Sequence, residues 1–281
     1  MPEEVFETRD GRRILLRNCE SFEELDGCIR LQTEIWGYSE DEVIPRKVFI
    51  VARRIGGQVI GAFDLNFLEN AGGLVGFAMA LPGVMAGQTG APSPYLHSHM
   101  LAVKPEYRND GVGRRLKLFQ RLEAMSRGIE RMEWTFDPLE IKNSFLNIHR
   151  LGVIVRSYTP NFYGVSSSRL QGRLPTDRLH AEWHLNSKRV KAVLQGHRLD
   201  SGASETEIEP GVIEETILVP RDIGAWKSSQ QDVGRALAVQ VENRERFKKA
   251  FARGLAVTGF HRDTDGNGVF ELGPFETSGA V

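Results

Sequence analysis

The 281-residue chain is short of several things, and each shortage removes a class of protein. It has only two cysteines, Cys19 and Cys28, set across the start of a predicted helix. That spacing suits neither a disulfide framework nor a metal site, so buried free thiols are expected and no metal is called for. A formal net charge of −1 and a pI near 6.7 leave no global basic field to steer the chain to nucleic acid. Any phosphate binding must therefore be local. No uninterrupted apolar run reaches the length of about 18 residues that a membrane span needs. The acidic start, Met1-Pro2-Glu3-Glu4, has no apolar segment of the signal-peptide kind. The expectations are no nucleic-acid partner, no membrane association and a cytoplasmic location. What remains, 41% hydrophobic and 26% charged residues, suits one large or two ordinary globular domains.

Periodicity orders the elements. Val5 to Arg17 reads as a short hairpin or strand, and Ser21-Phe22-Glu23-Glu24 has the capping-box pattern ahead of a helix to about Ile35. Val48 to Arg53, Gln58 to Phe63 and Gly73 to Met79 read as strands of an antiparallel meander, the first two joined at Gly56-Gly57. A Gly- and Pro-rich loop from Leu81 to Pro94 precedes a strand from Tyr95 to Val103. A helix from about Gly111 to Arg127 follows, with Val112, Leu116, Phe119, Leu122 and Met125 on one face. Then come a strand at Met132 to Phe136, a helix from Pro138 to Leu151 ending at Gly152, and a strand from Val153 to Tyr158. The pattern fades between Asn186 and Thr206. Beyond it a strand at Glu215 to Val219, a helix from Ser229 to about Arg253, and a hairpin of Leu255 to Phe260 with Val269 to Leu272 form a further unit. The expected organisation is a domain over 1–188, a linker over 189–206 and a small α/β extension over 207–281.

The most informative stretch runs from Leu101 to Leu116, a strand leading through a glycine turn into a helix. Gly111 and Gly113 let backbone approach a ligand without a Cβ in the way, and the first turn of the helix leaves amide N–H groups without intrahelical partners. The helix dipole favours an anion there, and Arg108, Arg114 and Arg115 add positive charge around the turn.

The spacing Arg-x-x-Gly-x-Gly, with its lead-in of Leu101, Val103, Pro105, Tyr107 and Arg108, resembles motif A of the GNAT superfamily of acyl-CoA-dependent N-acyltransferases. The element order from about Arg12 to Leu185 fits that family. The stretch from Gly172 to Leu185 is similar to a bacterial branch of it that carries a C-terminal extension. The resemblance implies an α+β fold, a mixed, splayed sheet flanked by helices. Backbone of Leu101, Ala102 and Val103 would meet the pantetheine amides of acetyl-CoA. The turn of Arg108, Asn109, Asp110, Gly111, Val112, Gly113 and Arg114 would hold the pyrophosphate.

Acyl transfer to an amine needs the amine deprotonated, an oxyanion stabilised and a thiolate protonated. On a regular strand His97, His99, Leu101 and Val103 share a face, which brings both imidazoles toward the acyl site; a bulge would break that parity. The family's glutamate base, four residues before the place of Leu101, corresponds to His97, and neutral imidazole can serve as a base. Hydrogen-bonded strand histidines are the competing reading. The family's helix tyrosine, four residues before the terminal glycine, corresponds to Ile148, and Asn143 and Asn147 do not register with its helix asparagine. Tyr158, or less directly Tyr163, stands in as the candidate acid. Trp36, Tyr38, Glu40, Asp41 and Glu42 fall where the family borders its acceptor pocket and would suit an amine with an apolar part, although a solvated loop accounts for the three acids.

Other signals are weaker. Asp263-x-Asp265-x-Asn267-Gly268 resembles half a calcium loop, but position twelve is Pro274 and no helix follows, so a hairpin turn is expected. Arg244, Arg246, Lys248, Lys249 and Arg253 read as a solvated helix face that could instead meet a partner or a phosphate. Asp177 and Arg178 read as a structural ion pair beside a strand anchored by Trp183, or as acceptor-binding residues. The function expected is transfer of an acetyl or other short acyl group from acyl-CoA to a primary amine of a small molecule. The alternatives are a different acyl specificity, thioester hydrolysis, or a CoA-binding module without catalysis. The extension would cover the acceptor site or form a subunit interface, as in a homodimer.

Overall fold

The computed structural model describes residues 3–67, 73–86, 91–196 and 212–275, which fall into two contact units, 1–133 and 134–281. That division differs from the expected boundary at 189–206. Part of the expected linker is helical, and 197–211 lies outside the described residues.

In the first unit β1 (Glu4–Glu7) and β2 (Arg13–Asn18) form the opening hairpin. Helix α1 (Phe22–Trp36) begins with the capping box read from the sequence: the Glu24 amide donates to Ser21 Oγ, and the Glu24 carboxylate accepts from the Ser21 amide. Gly37, left-handed at φ 69°, ends it. The stretch read as a strand at Val48 to Arg53 is instead helix α2 (Arg46–Arg54). Of its apolar run only Phe49 and Ala52 are buried, the i, i+3 pair of a helix, while Val48, Ile50 and Val51 are exposed. Helical periodicity against the core overrides the β-branched composition.

Three antiparallel strands follow, β3 (Gln58–Asp64), β4 (Leu74–Ala86) and β5 (Pro92–Val103). The loop expected from Leu81 to Pro94 is largely paired strand, from Leu81↔His97 out to Ala86↔Pro92. Residues 87–90 lie outside the described residues. Helix α3 (Val112–Ser126) returns to β6 (Arg131–Phe136), whose ladder with β5 is parallel and consists of Leu96↔Met132 and His97↔Glu133. The strand order β1-β2-β3-β4-β5-β6 therefore opens beyond His97. Among the described residues no further β5–β6 pair forms, and the two strands splay apart there. α1 and α2 cover one face, with Leu25, Cys28, Phe49, Phe77, Met79, Met100 and Ala102 in its core. α3 covers the other, with Ala78, Val112, Leu116 and Phe119 packed beside Leu101 and Val103. The expected apolar stripe of α3 is only partly right, because Leu122 is 56% exposed while Lys117 and Gln120 are buried.

In the second unit α4 (Ile141–Ser144) runs into a π-helical segment (Phe145–Arg150), so the long helix expected over 138–151 is shorter and wider-wound. β7 (Ile154–Thr159), β8 (Arg178–His184), α5 (Lys188–Leu194) and β9 (Glu215–Val219) follow. The helix expected from Ser229 is two, α6 (Ile223–Ser228) and α7 (Val233–Ala252), before the hairpin β10 (Leu255–Arg262) and β11 (Gly268–Pro274). The strand order here is β8-β7-β10-β11-β9. Trp183, fully buried, donates from Nε1 to the Leu151 carbonyl at 2.8 Å. Phe247 of α7 stacks on Tyr158 with ring centroids 5.7 Å apart.

Candidate functional site

The glycine turn is built from both ends. Tyr107, 7% exposed, donates its hydroxyl to Asp64 Oδ2 at 2.9 Å, which ties the turn's lead-in to the end of β3. Burial and that hydrogen bond raise the Tyr107 pKa and keep the phenol protonated. Asn109 and Gly111 both adopt left-handed backbone, at φ 69° and 83°. No side chain caps α3 at Gly111, and its first helical bond is Arg115 N–H to the Gly111 carbonyl. The amides of Val112, Gly113 and Arg114 precede that bond and define an anion cradle. A Cβ at Gly113 would stand 3.7 Å from Val103 Cγ2 and 3.9 Å from Leu101 Cδ2, so the fold itself would accept one there. A ligand lying along the turn is what would collide with it.

The arginines divide. Arg108 Nε donates to the Val103 carbonyl at 3.0 Å, which holds it beside the turn. Arg114 is half-buried in the first turn. Arg115 points away, paired with Glu4 and lying 4.4 Å over the Phe6 ring, so its charge serves β1 and not the cradle.

The expected parity of β5 fails at one residue. The ladder to β4 passes from Met79↔Met100 directly to Ala80↔Ser98, and His99 is the unpaired extra residue of a bulge. Leu101 and Val103 pack on the α3 side, and so does Ser98, whose hydroxyl bonds to Lys117 and Gln120 of α3. His97 is thereby turned to the opposite side, where its β4 partner Leu81 joins the α1/α2 core. Its ring centroid lies 6.0 Å from that of His99, and its parallel partner is Glu133, itself ion-paired to Arg131 at 2.6 Å. His99 keeps solvent contact yet is crowded by protein, and desolvation pulls its pKa below the usual histidine value. That shift suits the His99 imidazole to be neutral at neutral pH.

On the same α1/α2 side Trp36 and Tyr38 stack at 5.4 Å with planes 19° apart and pack against the core. Gln32, fully buried, holds the loop behind them by donating to the Ile44 carbonyl at 3.1 Å and accepting from the Ile44 amide at 2.8 Å. That side-chain clamp on the loop was not anticipated; a glutamine in the apolar face of an amphipathic helix is the signal that could have found it. Glu40 and Asp41 are exposed.

Tyr158 belongs to the second unit. Its hydroxyl donates to Asp177 Oδ2 at 2.5 Å, and burial together with that bond raises its pKa strongly. Asp177, fully buried, also accepts from Arg244 Nε at 2.8 Å and from the Asn161 amide at 2.9 Å. The partner of Asp177 is thus Arg244 and not Arg178, which donates to the Asp177 carbonyl at 2.8 Å and to Gln171 at 3.0 Å. The basic run of α7 is likewise largely engaged, with Arg246 and Arg253 paired to Glu215 of β9. Tyr163 shares a hydrogen bond of 2.9 Å with Thr135. Ile148, at the family's tyrosine place, is fully buried. Asp263 accepts from the amides of Asp265 and Asn267, as a hairpin turn requires. Among the described residues no cluster of potential metal ligands occurs, and no helix is long and apolar enough to cross a membrane.

A splayed mixed sheet with a left-handed glycine turn opening an uncapped helix defines a GNAT-type fold. Residues 15–142, a little under half of the chain, match the family model described as Acetyltransferase (GNAT) family. No curated protein sequence matches the chain. Among solved structures, the ribosomal-protein-S18-alanine N-acetyltransferase from Escherichia coli is similar at 14% identity and TM-score 0.46, covering 62% of this chain and 95% of that one. Aminoglycoside 6'-acetyltransferase type Ii is similar at 17% identity and TM-score 0.46, covering 62% and 98%. A GNAT family acetyltransferase from Elizabethkingia anophelis, solved with acetyl-CoA bound, is similar at 13% identity and TM-score 0.42, covering 61% and 97%. Likenesses at this level carry nothing about the acceptor.

Proposed function

We propose that this protein transfers an acetyl or other short acyl group from acyl-CoA to a primary amine of a small molecule. The observation that carries the reading is the turn from Arg108 to Arg114, where uncapped amides, two glycine positions and a helix N-terminus converge as a pyrophosphate requires. Leu101, Ala102 and Val103 pair with β4 on one side, and their other backbone edge, where the β5–β6 ladder has ended, suits the amides of a pantetheine arm. Acetyl-CoA would supply the activated acyl carbon.

His97 is the residue we assign as general base, with His99 beside it. The amine proton passes to the imidazole as the C–N bond forms and the C–S bond breaks, and the proton so gained balances the one the leaving thiolate takes up. The acceptor would lie on the α1/α2 side, against Trp36 and Tyr38, where stacked rings favour an amine with an apolar or aromatic body. Tyr158 is the candidate for protonating the thiolate, although its own proton is engaged by Asp177. That engagement favours one rival, a CoA-binding module without turnover.

The test is release of thiol from acetyl-CoA in the presence of a panel of aryl-alkyl and aliphatic amines, read with a thiol reagent. Both protein thiols are buried and do not interfere. Amine-dependent release that falls sharply in His97→Ala supports the reading. Acetyl-CoA binding without release under any amine supports the module.

A further inference from the structure

The bulge that sends His97 to the α1/α2 side has an anchor of its own, made of buried polar groups on α3. Lys117 Nζ donates to Ser98 Oγ at 2.7 Å, and Ser98 Oγ donates onward to Gln120 Oε1 at 2.9 Å. Gln58 of β3 closes the cluster by donating to the Gln120 carbonyl at 2.9 Å and to Glu123, which also accepts from Arg127 at 2.8 Å. Lys117 and Gln58 are each 2% exposed, Ser98 is 4% and Gln120 is fully buried.

Such a cluster is costly for packing alone. Leu116 and Phe119, on either side of Lys117 along the helix, show that this face of α3 buries apolar groups readily, and burying an amine and an amide costs free energy that Leu or Met would not. What the cluster does, and an apolar contact cannot, is fix a strand residue in one orientation through a directional bond. Leu101 already faces α3 by packing; Ser98 is made to face α3 by Lys117 and Gln120. Residues 98 and 101 can share a face only if the strand carries one extra residue between them, and His99 is that residue.

We infer that Lys117 and Ser98 are positioning residues for the proposed reaction: by pinning residue 98 to α3 they hold the bulge at His99 and keep His97 on the acceptor side. This rests on the reading of His97 as base. The bonds of the cluster join β3, β5 and α3, so its loss should act on turnover and leave donor binding alone. Burial lowers the pKa of the Lys117 amine well below the usual lysine value.

The experiment compares wild type with Ser98→Ala, Lys117→Met and Ser98→Thr, measuring kcat and KM for acetyl-CoA together with the ring resonances of His97 and His99. Ser98→Ala and Lys117→Met are expected to lower kcat by about ten- to a hundredfold, with KM for acetyl-CoA changed by less than about threefold. Both histidine resonances should shift, and Ser98→Thr, which keeps the hydroxyl, should restore rate and resonances. Unchanged kcat and unchanged resonances in folded Ser98→Ala and Lys117→Met would overturn the inference. If wild type turns over no amine, the functional reading has failed by itself, and the resonances still decide whether the cluster holds the bulge.

Discussion

Ser98 and Leu101 face the same side of β5, toward α3, although alternate residues of a regular strand share a face and these two are an odd number of steps apart. One unpaired residue, His99, accounts for the discrepancy. That one residue decides which imidazole lies on the α1/α2 side of the strand.

Gly111 and Gly113 should behave differently when substituted. Gly111 is left-handed, so Gly111→Ala is expected to destabilise by about 1–2 kcal/mol in urea unfolding. Gly113→Ala should fold with a change within about 0.5 kcal/mol, because its methyl meets only ordinary contacts. It should nonetheless weaken acetyl-CoA by about tenfold or more in calorimetry, an effect of roughly 1.4 kcal/mol.

His99 should titrate below the usual histidine value in an NMR pH series, since desolvation disfavours its charged form. The unfolded chain binds the proton more readily, so the contribution to stability is complete above the unfolded histidine pKa of about 6.5 and is lost as pH falls through the depressed folded value. His99→Gln should remove that part of the acid destabilisation; an unaltered stability–pH curve would contradict the assignment.

Much of the first unit is legible because its signals are local. Ser21 and Glu24 announce α1, and Arg108 through Gly113 announce the turn, since caps and positive φ are chemistry of a few adjacent residues. The failures are matters of tertiary context. Val48 to Val51 read as a strand by composition, and only the core contact of Phe49 and Ala52 makes them helical. The bulge at His99 is invisible because the group that imposes it, Lys117, is on another element. Arg244 looked like a solvated charge because its partner Asp177 is far away in sequence.

Asp177→Asn should cost about 3 kcal/mol by urea unfolding, because it leaves Arg244 without its buried counter-charge. Tyr158→Phe removes one hydrogen bond to the same carboxylate and should cost about 1 kcal/mol. If its rate stays within about threefold of wild type, the hydroxyl serves Asp177 and not the thiolate; a loss of about a hundredfold would make it the acid.

Cys19 and Cys28 lie with their sulfurs 3.9 Å apart, both fully buried, and the hydrogen bond with Cys19 together with burial pushes the Cys28 thiol pKa well up. Neither should react with a thiol reagent in the native protein at neutral pH, and both should react on unfolding. Native reactivity would mean that α1 opens.

The most direct measurement is calorimetric titration of acetyl-CoA, free CoA and dephospho-CoA into wild type and Gly113→Asp. The account predicts saturable binding of acetyl-CoA to wild type and its loss in the variant, whose carboxylate occupies the place of the pyrophosphate. Absence of binding to wild type, or equal binding to both proteins, would contradict a CoA site at this turn.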